Sequence, residues 1–407
     1  MGNNWKVSIN RRATRDYWLL WSGSGLSNLG DGIRLTALPL LAATLTRDPL
    51  AVATVLAATT APWILFGPLG GSIVDRANRK LLMTGGQVVR GLVVAGLAVL
   101  VATDSVAMVH LYIVGAVIGT GEILVDSSSQ AAIPLLSGGI ELETANSRLI
   151  AAEFLLNDLA GGPIGALLFA IAASVPFGVD AVTFLLGGLL VAMIRTPMQD
   201  AREPNLQTIR ADIVEGFRFV WRHDFLRPLT GAVAIANFSL GAGGSILVLL
   251  AIEELGATEA EYGLILGVGA LGGVVGALVS SRIARRIGRR WAMTAGTVVL
   301  AIGQLILGLA PDAPVAAAGI VVGLFGVTLF TVVGRTLRQA LTPDRLLGRV
   351  VASFRLIGIG AVPVGAVFGG LVARSAGLRS PYLIGSALIL AAAVVVYRAS
   401  TEERTLT

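Results

Sequence analysis

Apolar stretches of about twenty residues or more, each enough to cross the hydrocarbon core of a bilayer as a helix, recur from one end of this chain to the other. Read as spans, they lie near 17–45, 49–74, 81–103, 108–136, 147–173 and 176–195, then near 228–254, 260–281, 291–310, 314–340, 350–373 and 380–398. The connections between them are mostly short. The exception, 196–227, is polar and charged and divides the spans into two sixes. The expected fold is an all-α polytopic membrane protein with twelve transmembrane helices in two pseudo-symmetric six-helix bundles. An N-terminal bundle would occupy 1–195, a central loop 196–227, and a C-terminal bundle with a short tail 228–407.

Composition narrows the function classes. Hydrophobic residues make up 55% of the chain and charged residues 14%, against about 25% charged in an ordinary soluble domain. The 51 glycines fit closely packed membrane helices. With no cysteine and only His110 and His223, disulfides, thiolate nucleophiles and Cys- or multi-His metal centres are excluded. No metal and no cofactor is expected. The N-terminal MGNNWKVSINRRATRD is polar and basic and is followed by no small-residue cleavage site, so a cleavable signal peptide is not expected.

The net charge of +6 does not point to nucleic acid; where the cations sit matters more. With the N-terminus placed in the cytoplasm, the even-numbered connections carry Arg76, Arg79 and Lys80, then Arg148, Arg195 through Arg227, Arg282 through Arg290, and Arg345 with Arg349. The odd-numbered connections carry only Arg47, Arg374 and Arg379. Positive charge favours the cytoplasmic side, so both termini are expected there. Within 206–222, Leu206, Ile209, Ile213, Phe217, Val220 and Trp221 recur at helical spacing. They mark an amphipathic helix, either lying on the membrane surface or packed against the cytoplasmic loops.

The two halves echo each other. GGSIVDRANRK follows the second span and GALVSSRIARRIGRR the eighth, each a glycine-rich helix end before a basic turn. That is the trace of a duplicated six-helix unit. The run Gly71-Ser72-Ile73-Val74-Asp75-Arg76-Ala77-Asn78-Arg79-Lys80 resembles, in letters and in place, the loop between the second and third helices of the major facilitator superfamily. The resemblance covers essentially the whole chain. Three further stretches, EGFRFVWRHDFLRPL, TPDRLLGRVVASFRLIGIGAVPVG and ETANSRLIAAEFLLNDLAGGPIGALL, are similar to the subgroup of enterobactin-type siderophore exporters and macrolide efflux proteins. It implies a monomeric secondary transporter in a bacterial inner membrane, exporting a small amphiphilic compound of drug, antibiotic or siderophore type at the expense of the proton gradient. Two departures set the chain apart from well-known drug antiporters: the fourth span lacks an arginine midway, and the fifth reads Gly161-Gly162-Pro163-Ile164-Gly165-Ala166 where G-P-x-x-G-G is expected.

The motif also has a physical reading. Gly71 allows close helix approach. Asp75 ends a helix, where it can accept from a neighbouring helix N-terminus, here that of the eleventh span. Arg79 is a planar multi-donor able to reach a carboxylate on the fourth span, with Asp126 as the expected partner. Gly71, Asp75, Arg76, Arg79, Lys80 and Asp126 are thus a candidate cytoplasmic gate, the alternative being that the cations only mark the inner face. Ionisable residues within spans are costly and point to function. Asp31 and Arg34, three apart, form either a local pair or a cavity group. Glu122 and Asp126 share a helix face. Asp31, Glu122 and Asp158 are the proton-coupling candidates; Arg34, Asn237 and Gln304 the substrate-cavity candidates. Asp180 reads as an interfacial or capping group, Arg90 as lying near the cytoplasmic surface, and Arg335, Arg338 and Arg355 as snorkelling or gating residues. Two rivals remain: a facilitator or symporter importing a small nutrient, and, more remotely, a membrane signalling protein or intramembrane enzyme. An enzyme would want a catalytic constellation, and little beyond carboxylates is available.

Overall fold

The computed structural model describes residues 11–198 and 209–402, so Leu206 lies outside it, as do the side chains of Asp75, Ile209 and Ile213 and the surroundings of Gly71. The N-terminal half is built from α1 (Arg11–Leu45), α2 (Pro49–Thr60), α3 (Pro62–Arg76), α4 (Arg79–Ala102), α5 (Met108–Leu136), α6 (Leu142–Glu153), α7 (Gly162–Ile171) and α8 (Val175–Ala192). A connecting helix, α9 (Ile209–Arg222), leads to α10 (Leu226–Gly244), α11 (Leu247–Leu249), α12 (Glu259–Ile287), α13 (Arg289–Leu309), α14 (Ala313–Leu341), α15 (Asp344–Ala376) and α16 (Ser380–Glu402).

These pieces resolve into the twelve spans the sequence marks. Ten are long and apolar enough to cross a membrane outright, and α10 with the segment Leu247–Glu254, bent by 42°, makes an eleventh. The remaining one is α1, whose 35 residues are diluted by Ser24, Ser27, Asn28, Asp31 and Arg34. Breaks within spans have local causes. Pro62 lacks an N–H and divides α2 from α3. Pro163 likewise gives nothing to the turn before it, and the ladder between α6 and α7 widens into a π-helix over Phe154–Gly161. There Gly161 meets α1 so closely that a Cβ would lie 2.5 Å from the Gly32 Cα. Span ends are set by caps: Asn78 accepts from the Leu81 N–H at 3.2 Å, and Thr258 and Glu261 cap each other's helix turn.

The twelve spans form two six-helix bundles, α1–α8 and α10–α16. One end of the molecule, termed here the basic end, carries the α3–α4 and α12–α13 turns with Arg76, Arg79, Lys80 and Arg282 through Arg290. The bundles are joined at the opposite end. One apolar core runs through both halves there, from Leu40, Val52 and Phe177 to Leu249, Tyr262 and Tyr382. At the basic end the core is split into two. One part, around Tyr17, Met83 and Ile133, belongs to the first half; the other, around Phe225, Met293 and Phe354, belongs to the second. The closed end is close-packed: a Cβ on Gly370 of α15 would sit 2.8 Å from the Cβ of Ala53 on α2. Ion pairs Arg47–Glu253 (3.2 Å) and Arg374–Asp48 (3.7 Å) cross the seam beside it.

Helix α9 packs one face on the C-terminal half and leaves an apolar face exposed. Val220 is fully buried, Gly216 packs on the backbone of Arg349, and Glu215 pairs with Arg349 of α15. On another face Val214, Phe217 and Trp221 are exposed, the two rings stacked at 5.2 Å.

Candidate functional site

Because the halves are fused at one end and parted at the other, a cavity of about 1000 Å³ lies between them and opens toward the basic end. Its N-terminal wall comes from α1, α4, α5 and α6, with Asp31, Arg90, Asp126, Gln130, Asn146 and Glu153 among the lining residues. Its C-terminal wall comes from α10, α13, α14 and α15, including Asn237, Phe330, Arg335, Arg338, Phe354 and Arg355.

At the cavity's inner wall sits a buried charge network. Asp31 on α1 accepts from Nη2 of Arg90 through both carboxylate oxygens, at 2.6 and 2.8 Å. It is also bonded to Arg34, one turn along its own helix. Arg34 in turn pairs with Asp180 of α8, Nε to Oδ2 3.2 Å. Arg90 on α4 donates through Nη1 to Oε1 of Gln87 (3.4 Å) and to Oγ of Ser27 (3.5 Å), and its guanidinium lies 4.0 Å from the ring centre of Phe184. Arg34 and Arg90 are each 2% exposed, Asp180 is 0% and Asp31 8%. Two arginines and two aspartates on three helices thus cancel in charge, the condition under which buried ions are tolerated. Of the four, only Asp31 and Arg90 face the cavity.

The sequence candidates are distributed unevenly around this network. Asp31 and Arg34 form the expected local pair, and Asp31 also lines the cavity, so both readings hold for it. Arg34, a cavity candidate, points away from the cavity toward Asp180. Glu122, half-buried on α5, lies outside the lining, with Asp31, Arg90, Arg34 and Glu153 as the charges that act on it. Asp126, one turn further along, is exposed to the cavity. Asn237 lines the cavity as expected. Gln304, like Arg34 a substrate-cavity candidate, is not in the lining: it is packed inside the C-terminal bundle at 3% exposure. Asp158, a proton-coupling candidate, lies on the π-helical stretch outside the lining.

At the basic end, Nη1 of Arg79 donates to the carbonyls of Ala131 (3.3 Å) and Met198 (3.0 Å), and Lys80 Nζ to that of Ile194 at 2.7 Å. Among the described residues, Arg79 therefore bonds to the backbone of α5 and of the segment after α8, and the carboxylate of Asp126 faces the cavity. Arg76 is exposed. The sequence reading missed Arg90 and Asp180 as partners. The signal available was arithmetic: two intramembrane cations, Arg34 and Arg90, need two carboxylates, and Asp31 alone does not balance them.

Comparison with known proteins places this arrangement. Residues 12–405 match the family described as transmembrane secretion effector. The multidrug efflux pump Tap of Mycolicibacterium fortuitum is 26% identical over 374 residues, covering 90% of this chain and 91% of its own. Macrolide efflux protein A of Streptococcus pyogenes is 20% identical over 397 residues, covering 97% and 96%. Among solved structures, a bacterial homologue of the iron transporter ferroportin in an inward-facing state superposes with a TM-score of 0.77 at 20% identity, over 95% of this chain and 98% of that one.

Proposed function

The chain belongs to the transmembrane secretion effector family of the major facilitator superfamily, and from that membership we propose that it is a monomeric, proton-coupled exporter of small amphiphilic compounds, working by alternating access. The basic end is cytoplasmic, following the distribution of arginines, so both termini face the cytoplasm and the cavity is in its inward-open form. The efflux relatives support the direction of transport.

The observation that carries the coupling is the Asp31–Arg90–Arg34–Asp180 network. Asp31 is its one carboxylate in the cavity, where a proton can reach it. A proton on Asp31 removes half of the negative charge facing two buried guanidinium groups. The uncompensated cation is expensive in a dry interior, so the protonated protein favours a packing in which α1, α4 and α8 shift. Glu122, half-buried on α5 with Arg90 and Arg34 among the charges near it, is a carboxylate to which a displaced arginine can turn. Protonation at one face and release at the other then biases the rocking of the two bundles. In the outward-open form, the turn holding Asp75, Arg76, Arg79 and Lys80 latches the cytoplasmic side.

Everted vesicles test this. Substrate uptake is expected to rise on imposing an inside-acid pH gradient and to fall when that gradient is collapsed. Asp31→Asn is expected to uncouple uptake from the gradient. Uptake indifferent to the gradient in the wild type would remove the antiport reading; an Asp31→Asn protein that still responds fully would move the proton elsewhere.

A further inference from the structure

The cavity walls carry opposite charges that form no ion pair among the described residues. On the N-terminal side Asp126 and Glu153, and on the C-terminal side Arg335, Arg338 and Arg355, line the same space. None of the five is in an ion pair with any described residue. The guanidinium of Arg338 rests on the ring of Phe354 (4.7 Å) and that of Arg355 on Trp63 (5.0 Å), aromatic faces that leave their N–H groups free for an anion. Three of these groups share a level. Asp126 lies ten residues before the basic end of α5, while Glu153 and Arg355 each lie eleven residues in from the basic ends of α6 and α15. At 1.5 Å per residue all three are about 15 Å deep. Between the walls the C-terminal side offers Val233, Leu240, Phe330 and Ile359, an apolar strip.

Open to water, these charges cost little. Once the basic end shuts, each must be neutralised or be left buried and unpaired. A purely cationic guest satisfies Asp126 and Glu153 and strands the arginines; a purely anionic guest does the reverse. We propose that the cargo is a dipolar amphiphile, carrying a nitrogen cation and an anionic group on one apolar frame, with its cation on Asp126 and Glu153 and its anion on Arg355, Arg335 and Arg338. This rests on the efflux reading and adds the chemical class of the substrate. An empty cavity returns by pairing the same residues with each other across the gap, so the charges serve loaded and unloaded closure alike.

Xanthene dyes supply matched probes: rhodamine B is zwitterionic at neutral pH, its ethyl ester is a cation on the same frame, and fluorescein is an anion. Binding to the purified full-length protein in phosphatidylcholine nanodiscs, corrected for empty discs, is read by fluorescence polarisation. Rhodamine B is expected to bind at least tenfold more tightly than either of the other two. Arg355→Gln should erase its advantage over the ester, and Arg355→Lys should keep most of it. Asp126→Asn combined with Glu153→Gln should weaken rhodamine B and the ester together. Size-exclusion profiles check that each variant is folded, and the Lys variant separates lost charge from lost packing. Equal binding of zwitterion and ester, or no binding by any of the three dyes, overturns the proposed class. Efflux of cationic compounds alone from expressing cells would also overturn it while leaving the exporter reading standing.

Discussion

The two halves of this transporter share a scaffold and differ in what they bury. Where the first, third and sixth spans of the N-terminal half meet, Asp31, Arg90, Arg34 and Asp180 form a charged network. Where the corresponding spans of the C-terminal half meet, the buried polar groups are neutral. Tyr382 of α16 donates to the carbonyl of Gly243 at 2.8 Å, Ser386 to that of Ala301 at 2.9 Å, and Gln304 of α13 is enclosed beside them. A hydrogen-bonded hydroxyl fixes a helix contact and is indifferent to pH in the working range. A balanced set of ions fixes a contact too, but a single proton unbalances it. One bundle is thus held by a balanced set of ions and the other by neutral hydrogen bonds, and under the proposed coupling the movable element lies in the first half.

The sharpest way to break this contrast is to unbalance the ions directly. Arg90→Gln leaves Asp31 with Arg34 alone and removes the guanidinium stacked on Phe184. Loss of one member of a buried ionic set typically costs about 3–5 kcal/mol, and thermal unfolding of the purified protein should show a correspondingly large fall in midpoint. Asp31→Asn combined with Arg90→Gln restores neutrality, so the pair should cost less than the sum of the single changes by about 1–3 kcal/mol. Additive losses would mean that the four residues do not act as a unit.

A second test acts on the joined end. A side chain at Gly370 meets Ala53, Leu50 and Pro49 of the other half, so Gly370→Leu acts as a wedge that penalises the inward-open form, with overpacking typically costing about 1–3 kcal/mol. Outward-open molecules should become the larger population. The chain has no native cysteine, so spin labels on introduced cysteines across the two ends report the shift directly. An unchanged distance distribution would show that this contact does not set the conformation.

The contrast was only partly legible in the sequence. The spans were, because the length and apolarity of a membrane helix are one-dimensional properties; even the π-helical break sits beside a visible Pro163. The network was not, since Arg90 and Asp31 are 59 positions apart and nothing local says that the third span turns Arg90 toward the first. Asp180 read as an interfacial or capping group for the same reason. Gln304 was misplaced by the reverse error: a polar residue in a span looks like a cavity group until packing shows it facing its own bundle. Asp158, five residues beyond the cavity-lining Glu153, is not among the lining residues, and its place on the π-helical stretch is not something a regular helical repeat shows.

On the firm side of the contrast, Tyr382→Phe removes one buried hydrogen bond, leaving the Gly243 carbonyl with its backbone bond from the Ile246 N–H at 3.2 Å. The cost should be about 1–2 kcal/mol in unfolding measurements. Gradient-driven uptake should keep its pH response, because no charge is gained or lost. If this variant lost coupling, the division of labour between the halves would fail.

The smallest effect belongs to the ion pairs across the closed end. Arg47 pairs with Glu253 at 3.2 Å, but its side chain is 63% exposed; Arg374 and Asp48 are 3.7 Å apart and similarly wet. Exposed pairs contribute about 0–1 kcal/mol and are screened by salt, whereas the apolar core beneath them runs unbroken through both halves. Arg47→Gln together with Arg374→Gln should therefore leave the unfolding midpoint within a degree or two of wild type. It should move the inward–outward balance only slightly, and by less in high salt than in low. A large shift from this double change would locate the hold on the closed end in its surface charges rather than in the packing of α2 on α15.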